Sequence, residues 1–141
     1  MYETAFSAAN ILALIGWIGL VLLPGRAFVN TIASLIVPML LAIAYAGLIG
    51  AYFAEADGGF SSLAEVKLLF ASDGLLLAGW LHYLAFDLFV GAWQARTARA
   101  EGIPHLVLVP VLILTFLLGP IGFLIFVIIR QARAPSLVLE A

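Results

Sequence analysis

The sequence predicts an all-α integral membrane bundle of four transmembrane helices, with a short amphipathic interfacial helix between the second and third spans. Three observations predict it. Of 141 residues, 65% are hydrophobic and only 10% are charged, against about a quarter charged in soluble domains. The mean hydropathy is +1.21. The apolar residues fall into four stretches, each long enough to cross a hydrocarbon core of about 30 Å, which takes roughly 20 helical residues. A soluble globule of this length leaves roughly a third of its potential surface in water and could not hide so much apolar side chain. A cytosolic enzyme, a nucleic-acid binder and a disordered chain are therefore excluded. One domain spanning residues 1–141 is the natural count.

The first stretch, 5–23, ends at Pro24-Gly25, a helix stop. No basic segment precedes it and Leu23-Pro24-Gly25 lacks a small-x-small cleavage pattern, so it reads as a retained span. The second stretch, 32–53, carries Pro38, where the missing N–H permits a kink. Gly16, Gly19, Ala46, Gly47 and Gly50 would let helices approach closely.

The connection 54–73 is the longest. Within it Phe60, Leu63, Val66, Leu69 and Phe70 recur near helical spacing among Ser61, Ser62, Glu65 and Lys67. This is the pattern of a short helix lying at an interface, a connector or an entry ramp for a lipid-soluble ligand. Ser72-Asp73 then supplies cap oxygens for the third stretch, 74–93. Ile103-Pro104 opens the fourth, 106–129, which contains Pro110 and Gly119-Pro120. With four crossings, Lys67, Arg130 and Arg133 share one side and Arg26, Arg96 and Arg99 the other. That tie leaves the orientation open, because acidic residues contribute little to the positive-inside rule.

Net charge is −2, and no Lys/Arg cluster offers a footprint for nucleic acid. Zero cysteines exclude disulfides, thiolate metal sites and cysteine nucleophiles. The expected partners are membrane lipid, a lipid-soluble ligand and a second copy of the chain.

Chemistry concentrates in the third span, the only one with ionisable residues inside it. His82 sits near its midpoint and Asp87 follows about 7.5 Å along the axis. A central aspartate costs about 2.5–3.5 kcal/mol on insertion scales, so it needs a partner or a role. Five residues turn a helix by about 500°, so the two side chains emerge roughly 140° apart. His82, Phe86, Phe89 and Trp93 form one stripe, and Trp80, Tyr83 and Asp87 another. Such aromatic density suits a flat, conjugated ligand and equally suits ordinary packing. The bland alternatives are a histidine bonded to a neighbouring helix and an aspartate acting as an interhelical pin. Arg96 and Arg99 would snorkel to headgroups or meet a substrate oxygen, and His105 is interfacial.

Trp80-x-His82-x-x-x-x-Asp87-Leu88-Phe89, a polar loop ending near His105, and Gly119-Pro120-x-Gly122 together resemble the neoxanthin-synthase-related membrane proteins. That family is named for the plant abscisic-acid-deficient-four protein and has many bacterial members; the resemblance covers nearly the whole chain. It implies xanthophyll chemistry, since the plant members are required for converting violaxanthin to neoxanthin. There an epoxide opens to an allene and a hydroxyl, a redox-neutral isomerisation that needs no metal, nicotinamide or other cofactor. The chain lacks a plastid-targeting extension, which points to a bacterial member in the inner membrane. The chemistry needs an acid at the epoxide oxygen and a base for a carbon-bound proton. This assigns Asp87 as the acid and His82 as the base, with Trp80, Tyr83, Phe86, Trp93 and Arg96 lining the substrate. Three other readings stay open: a small proton-coupled transporter, a non-catalytic subunit of a membrane complex, and a haem-binding bundle using His82 and His105.

Overall fold

The computed structural model describes residues 1–133, and all regular structure in them is helical. The order is α1 (Tyr2–Leu22), α2 (Ala27–Thr31), a π-helical turn (Ile32–Ile36), α3 (Val37–Tyr52), α4 (Leu63–Leu69), α5 (Asp73–Ala100) and α6 (His105–Arg133). Among the described residues, four helices are long and apolar enough to cross a membrane: α1, the continuous run Ala27–Tyr52, α5 and α6. The chain is a multi-pass membrane protein.

The π-helical turn explains how the second of these tolerates Pro38. A proline inside a helix removes one backbone donor and its ring crowds the carbonyl four residues earlier. The widened turn over Ile32–Ile36 relieves that crowding, so the helix continues to Tyr52. α4 starts at Ser62, whose hydroxyl caps the Glu65 amide at 3.2 Å, and buries Leu69 while Leu63 and Leu68 stay exposed.

Helix α5 is the centre of the bundle and packs against α1, α3 and α6. It runs parallel to α1: Asn10 meets Trp80, Gly16 meets Leu88, and Gly25 meets Arg99. The interface is tight because Gly91 leaves room for the Trp17 ring, whose Cζ3 would lie 2.5 Å from a Cβ there. By contrast, Gly47 and Gly50 face open space within 4 Å and bring no helix closer. Much of the outer surface is apolar, with Ile11, Ile15, Ile43, Leu117 and Ile128 exposed. Lipid satisfies that surface as water could not.

The fourth helix has the length of a span but does not follow a plain crossing. At Leu118 the backbone leaves the helical region, with φ −142° and ψ 46°, and Gly119-Pro120 follow. Beyond the break the chain doubles back. A Cβ on Gly122 would lie 2.5 Å from the Cα of Thr115, whereas seven residues of straight helix span about 10.5 Å. Trp93 touches both Phe123 and Phe126, and Arg130 bonds Glu101 beside the start of α6. Two half-helices thus form a hairpin that enters and leaves on one side, that of Pro24-Gly25 and Glu101. The N-terminus and the loop before α5 lie on the other, where Tyr2 meets Tyr52 at 6.1 Å. Arg130 and Arg133 consequently join Arg26, Arg96 and Arg99, rather than sharing a side with Lys67 as four straight crossings would require.

Candidate functional site

Because α5 extends to Ala100 and not Trp93, its midpoint is Asp87 and not His82. Asp87 stands about 21 Å from the first residue of α5 and about 20 Å from the last. The tip of the α6 hairpin meets α5 at this depth. A Cβ on Gly119 would lie 2.7 Å from Oδ2 of Asp87, so only a glycine admits the carboxyl against the break. Gly122 is bare for a related reason: any side chain there would run into Thr115 and stop the half-helices from closing.

Tyr83 precedes Asp87 by one turn and lies on the same face. Its hydroxyl donates to the Phe116 carbonyl at 2.7 Å, one of the acceptors released where α6 breaks. The same hydroxyl faces the Asp87 carboxyl. Oδ2 of Asp87 is buried and has no hydrogen-bond partner among the described residues. An unpaired buried oxygen costs roughly 1–3 kcal/mol, so the site keeps an acceptor that the bundle itself does not use.

One seam continues from there toward Glu101. Gln94 lies seven residues beyond Asp87, two turns up the same face. Gln94 and Thr115 are both fully buried. The Thr115 hydroxyl lies 3.0 Å from Gln94 Oε1 and 2.9 Å from the Val111 carbonyl, while Gln94 Nε2 is unpaired. Neither residue stood out in the sequence. Thr115 is nevertheless the one hydroxyl between Leu106 and Ile129, and that isolation is the signal that could have found it.

The remaining sequence candidates separate into three places. His82 emerges on the exposed face of α5, its ring 4.6 Å from Phe86 and 6.0 Å from Tyr45. Trp80 closes the other end of the Asp87 face: its Nε1 donates to Asn10 at 3.1 Å, and its ring packs on Phe6 at 5.4 Å and Tyr83 at 5.2 Å. Trp93 belongs to the hairpin, packed on Phe123 and Phe126 with the Arg130 guanidinium 5.6 Å from its ring centre. Arg96 lines a separate cavity at the end of the bundle. The structure therefore brings Trp80, Tyr83 and Asp87 together, and sets His82 with Phe86, Trp93 and Arg96 apart from them. Among the described residues, no three His, Asp or Glu side chains converge to hold a metal ion.

Glu101 and Arg130 clamp the open end of the hairpin. Arg130 Nε lies 2.9 and 3.0 Å from the two Glu101 oxygens, and its Nη2 also reaches Oε1. Hydrogen bonds from the guanidinium hold the Glu101 carboxyl below the usual glutamate range.

No curated protein and no solved structure matches this chain. The family model described as ABA DEFICIENT 4-like matches residues 4–126, which takes in every residue of the seam from Trp80 to Gly122.

Proposed function

The chain belongs to the ABA DEFICIENT 4-like family, and from that premise we propose that it binds a carotenoid or a similar long isoprenoid beside Asp87 and isomerises it by proton transfer. The observation that carries this reading is a carboxyl midway along α5, set against the break in α6, with one oxygen unpartnered. Membership implies a neoxanthin-synthase-related membrane protein, and the carboxyl supplies the proton chemistry that such an isomerisation needs.

The steps balance without a cofactor. A protonated carboxyl gives its proton to an epoxide oxygen and the adjacent C–O bond breaks. A proton leaves the neighbouring vinylic carbon, and its C–H electron pair forms the second double bond of the allene. Tyr83 has committed its own proton to Phe116 O, so toward Asp87 it offers only an acceptor. That acceptor suits Asp87 as the protonated acid, the form that costs least in hydrocarbon. Two acceptors are available for the vinylic proton: the carboxylate just formed, and His82. Because His82 stands on the other face of α5, against Tyr45 and Phe86, return of the proton to Asp87 is the simpler route. Trp80 and Tyr83 form the aromatic wall along which a polyene would lie.

Co-expression with a pathway that makes an epoxy-xanthophyll, followed by chromatography of the pigments, tests this. An allenic product from the wild type and none from Asp87→Asn is the expected result. His82→Gln retains most of the product if Asp87 acts alone and loses about 10²–10⁴-fold in rate if His82 is the base. No new pigment from the wild type overturns the reading.

The buried Thr115–Gln94 pair on the Asp87 seam favours a second reading, a proton-coupled transporter. Asp87-dependent flux in proteoliposomes under a pH gradient, without pigment conversion, would select it.

A further inference from the structure

We infer that the end of the bundle between Pro24 and His105 is a binding site for a phosphate-type oxyanion, separate from Asp87. A cavity of about 870 Å³ opens there, lined by Arg26, Arg96 and Arg99 together with Asn30 and His105. Three guanidiniums border one space, and among the described residues no acidic side chain lines it. Among the described residues no carboxylate pairs with any of the three; the nearby Glu101 is bonded to Arg130. Like charges gathered around a cavity repel one another unless an anion enters, and planar guanidiniums present donor forks that match phosphate oxygens.

The cavity is built and does not merely collect loose side chains. Arg99 Nη1 donates to the Gly25 carbonyl at 2.6 Å, and His105 Nε2 lies 2.8 Å from the Val21 carbonyl. These bonds tie the α5–α6 connection to the end of α1. Gly25 has φ +79°, a left-handed conformation that glycine adopts without strain and that turns its carbonyl to Arg99. Arg26 and Arg96 are exposed and left to meet a ligand. The other lining residues, including Leu20, Val29, Ile103 and Leu108, are apolar. A polar ring over an apolar floor fits a charged headgroup followed by the first methylenes of a chain, at the depth where basic pockets between helices hold lipid headgroups.

The same oxyanion chemistry could come from an anionic phospholipid or from a soluble phosphate. Purified protein in phosphatidylcholine nanodiscs is therefore titrated with inorganic pyrophosphate, and in parallel reconstituted with about 20% phosphatidylglycerol, which keeps the surface potential modest. Thermal unfolding and native mass spectrometry are the readouts. Retained and stabilising phosphatidylglycerol identifies a lipid headgroup; saturable stabilisation by pyrophosphate identifies a soluble anion. Either supports the site only if Arg26→Gln and Arg96→Gln each weaken binding by about tenfold, the effect of losing one charge-assisted hydrogen bond. Lys67→Gln, at the other end of the bundle, should leave it unchanged. Equal binding by the wild type and both arginine variants, or neither saturable stabilisation by pyrophosphate nor a preference for phosphatidylglycerol over phosphatidylcholine, overturns the proposal. Both variants replace exposed side chains without hydrogen bonds to the fold, and their melting in phosphatidylcholine alone checks that they fold.

Discussion

Arg130 grips both carboxylate oxygens of Glu101, although 29 positions separate them in sequence. Were α6 straight, Arg130 would stand about 37 Å from His105, which follows Glu101 closely. The ion pair therefore requires the reversal at Leu118, and it closes the hairpin at the end remote from Asp87.

The reversal sets the topology of the chain. Five of the six Lys and Arg residues, all but Lys67, lie on the side of the Pro24 turn, so the positive-inside rule predicts that this side faces the cytoplasm. The chain has no cysteine, so single cysteines report cleanly. Ala100→Cys and Arg133→Cys should react with an impermeant maleimide from the same side, and Ser61→Cys from the opposite one. Labelling of Arg133→Cys together with Ser61→Cys would refute the hairpin.

Acid should open the clamp. Glu101 is held below the ordinary glutamate value of 4.5 by Arg130. A carboxylate depressed in the folded state contributes stability above its unfolded value, and that contribution fades as pH falls through the folded one. Thermal stability attributable to the pair should be constant from neutral pH to about 5 and fall below 4.5. Glu101→Gln should be less stable at pH 7 and lose that acid-dependent step; an unchanged step would show that other carboxylates cause it.

Gly119→Ala should cost about 1–3 kcal/mol, because the new methyl meets the Asp87 carboxyl. Adding Asp87→Ala should recover part of that loss, a coupling readable in a double-mutant cycle of unfolding in detergent. Strictly additive effects would mean that the two residues do not touch.

Thr115→Val and Gln94→Leu should differ in sign or size although they break the same bond. Thr115→Val leaves the buried Gln94 amide without its oxygen's partner and should cost about 1–2 kcal/mol. Gln94→Leu also removes an Nε2 that is already unpaired and should be nearly neutral. Equal losses from both would indicate that Gln94 has a partner in the membrane.

The four apolar stretches and the lone intramembrane aspartate were legible from composition and spacing, because hydrocarbon tolerates few alternatives. The direction of the last stretch was not. Hydropathy measures length, and Gly119-Pro120 permits a kink or a full reversal alike. Only the closeness of Gly122 to Thr115 and of Arg130 to Glu101 distinguishes them. His82 and Asp87 were equally conspicuous as ionisable residues. Their 140° separation already set them on different faces, but which face meets α6 depends on tertiary packing. Gln94 fell just past the expected end of its span, so its burial was hidden by a boundary set at Trp93.

The hairpin also gives the molecule unequal girth in the two leaflets. On the Pro24 side a section cuts five helical rods: α1, the Ala27–Tyr52 run, α5 and both halves of α6. Past the tip at Gly119 it cuts three. Such a wedge displaces more lipid from one leaflet than from the other, and leaves the flank of α5 below Asp87 bordered by acyl chains.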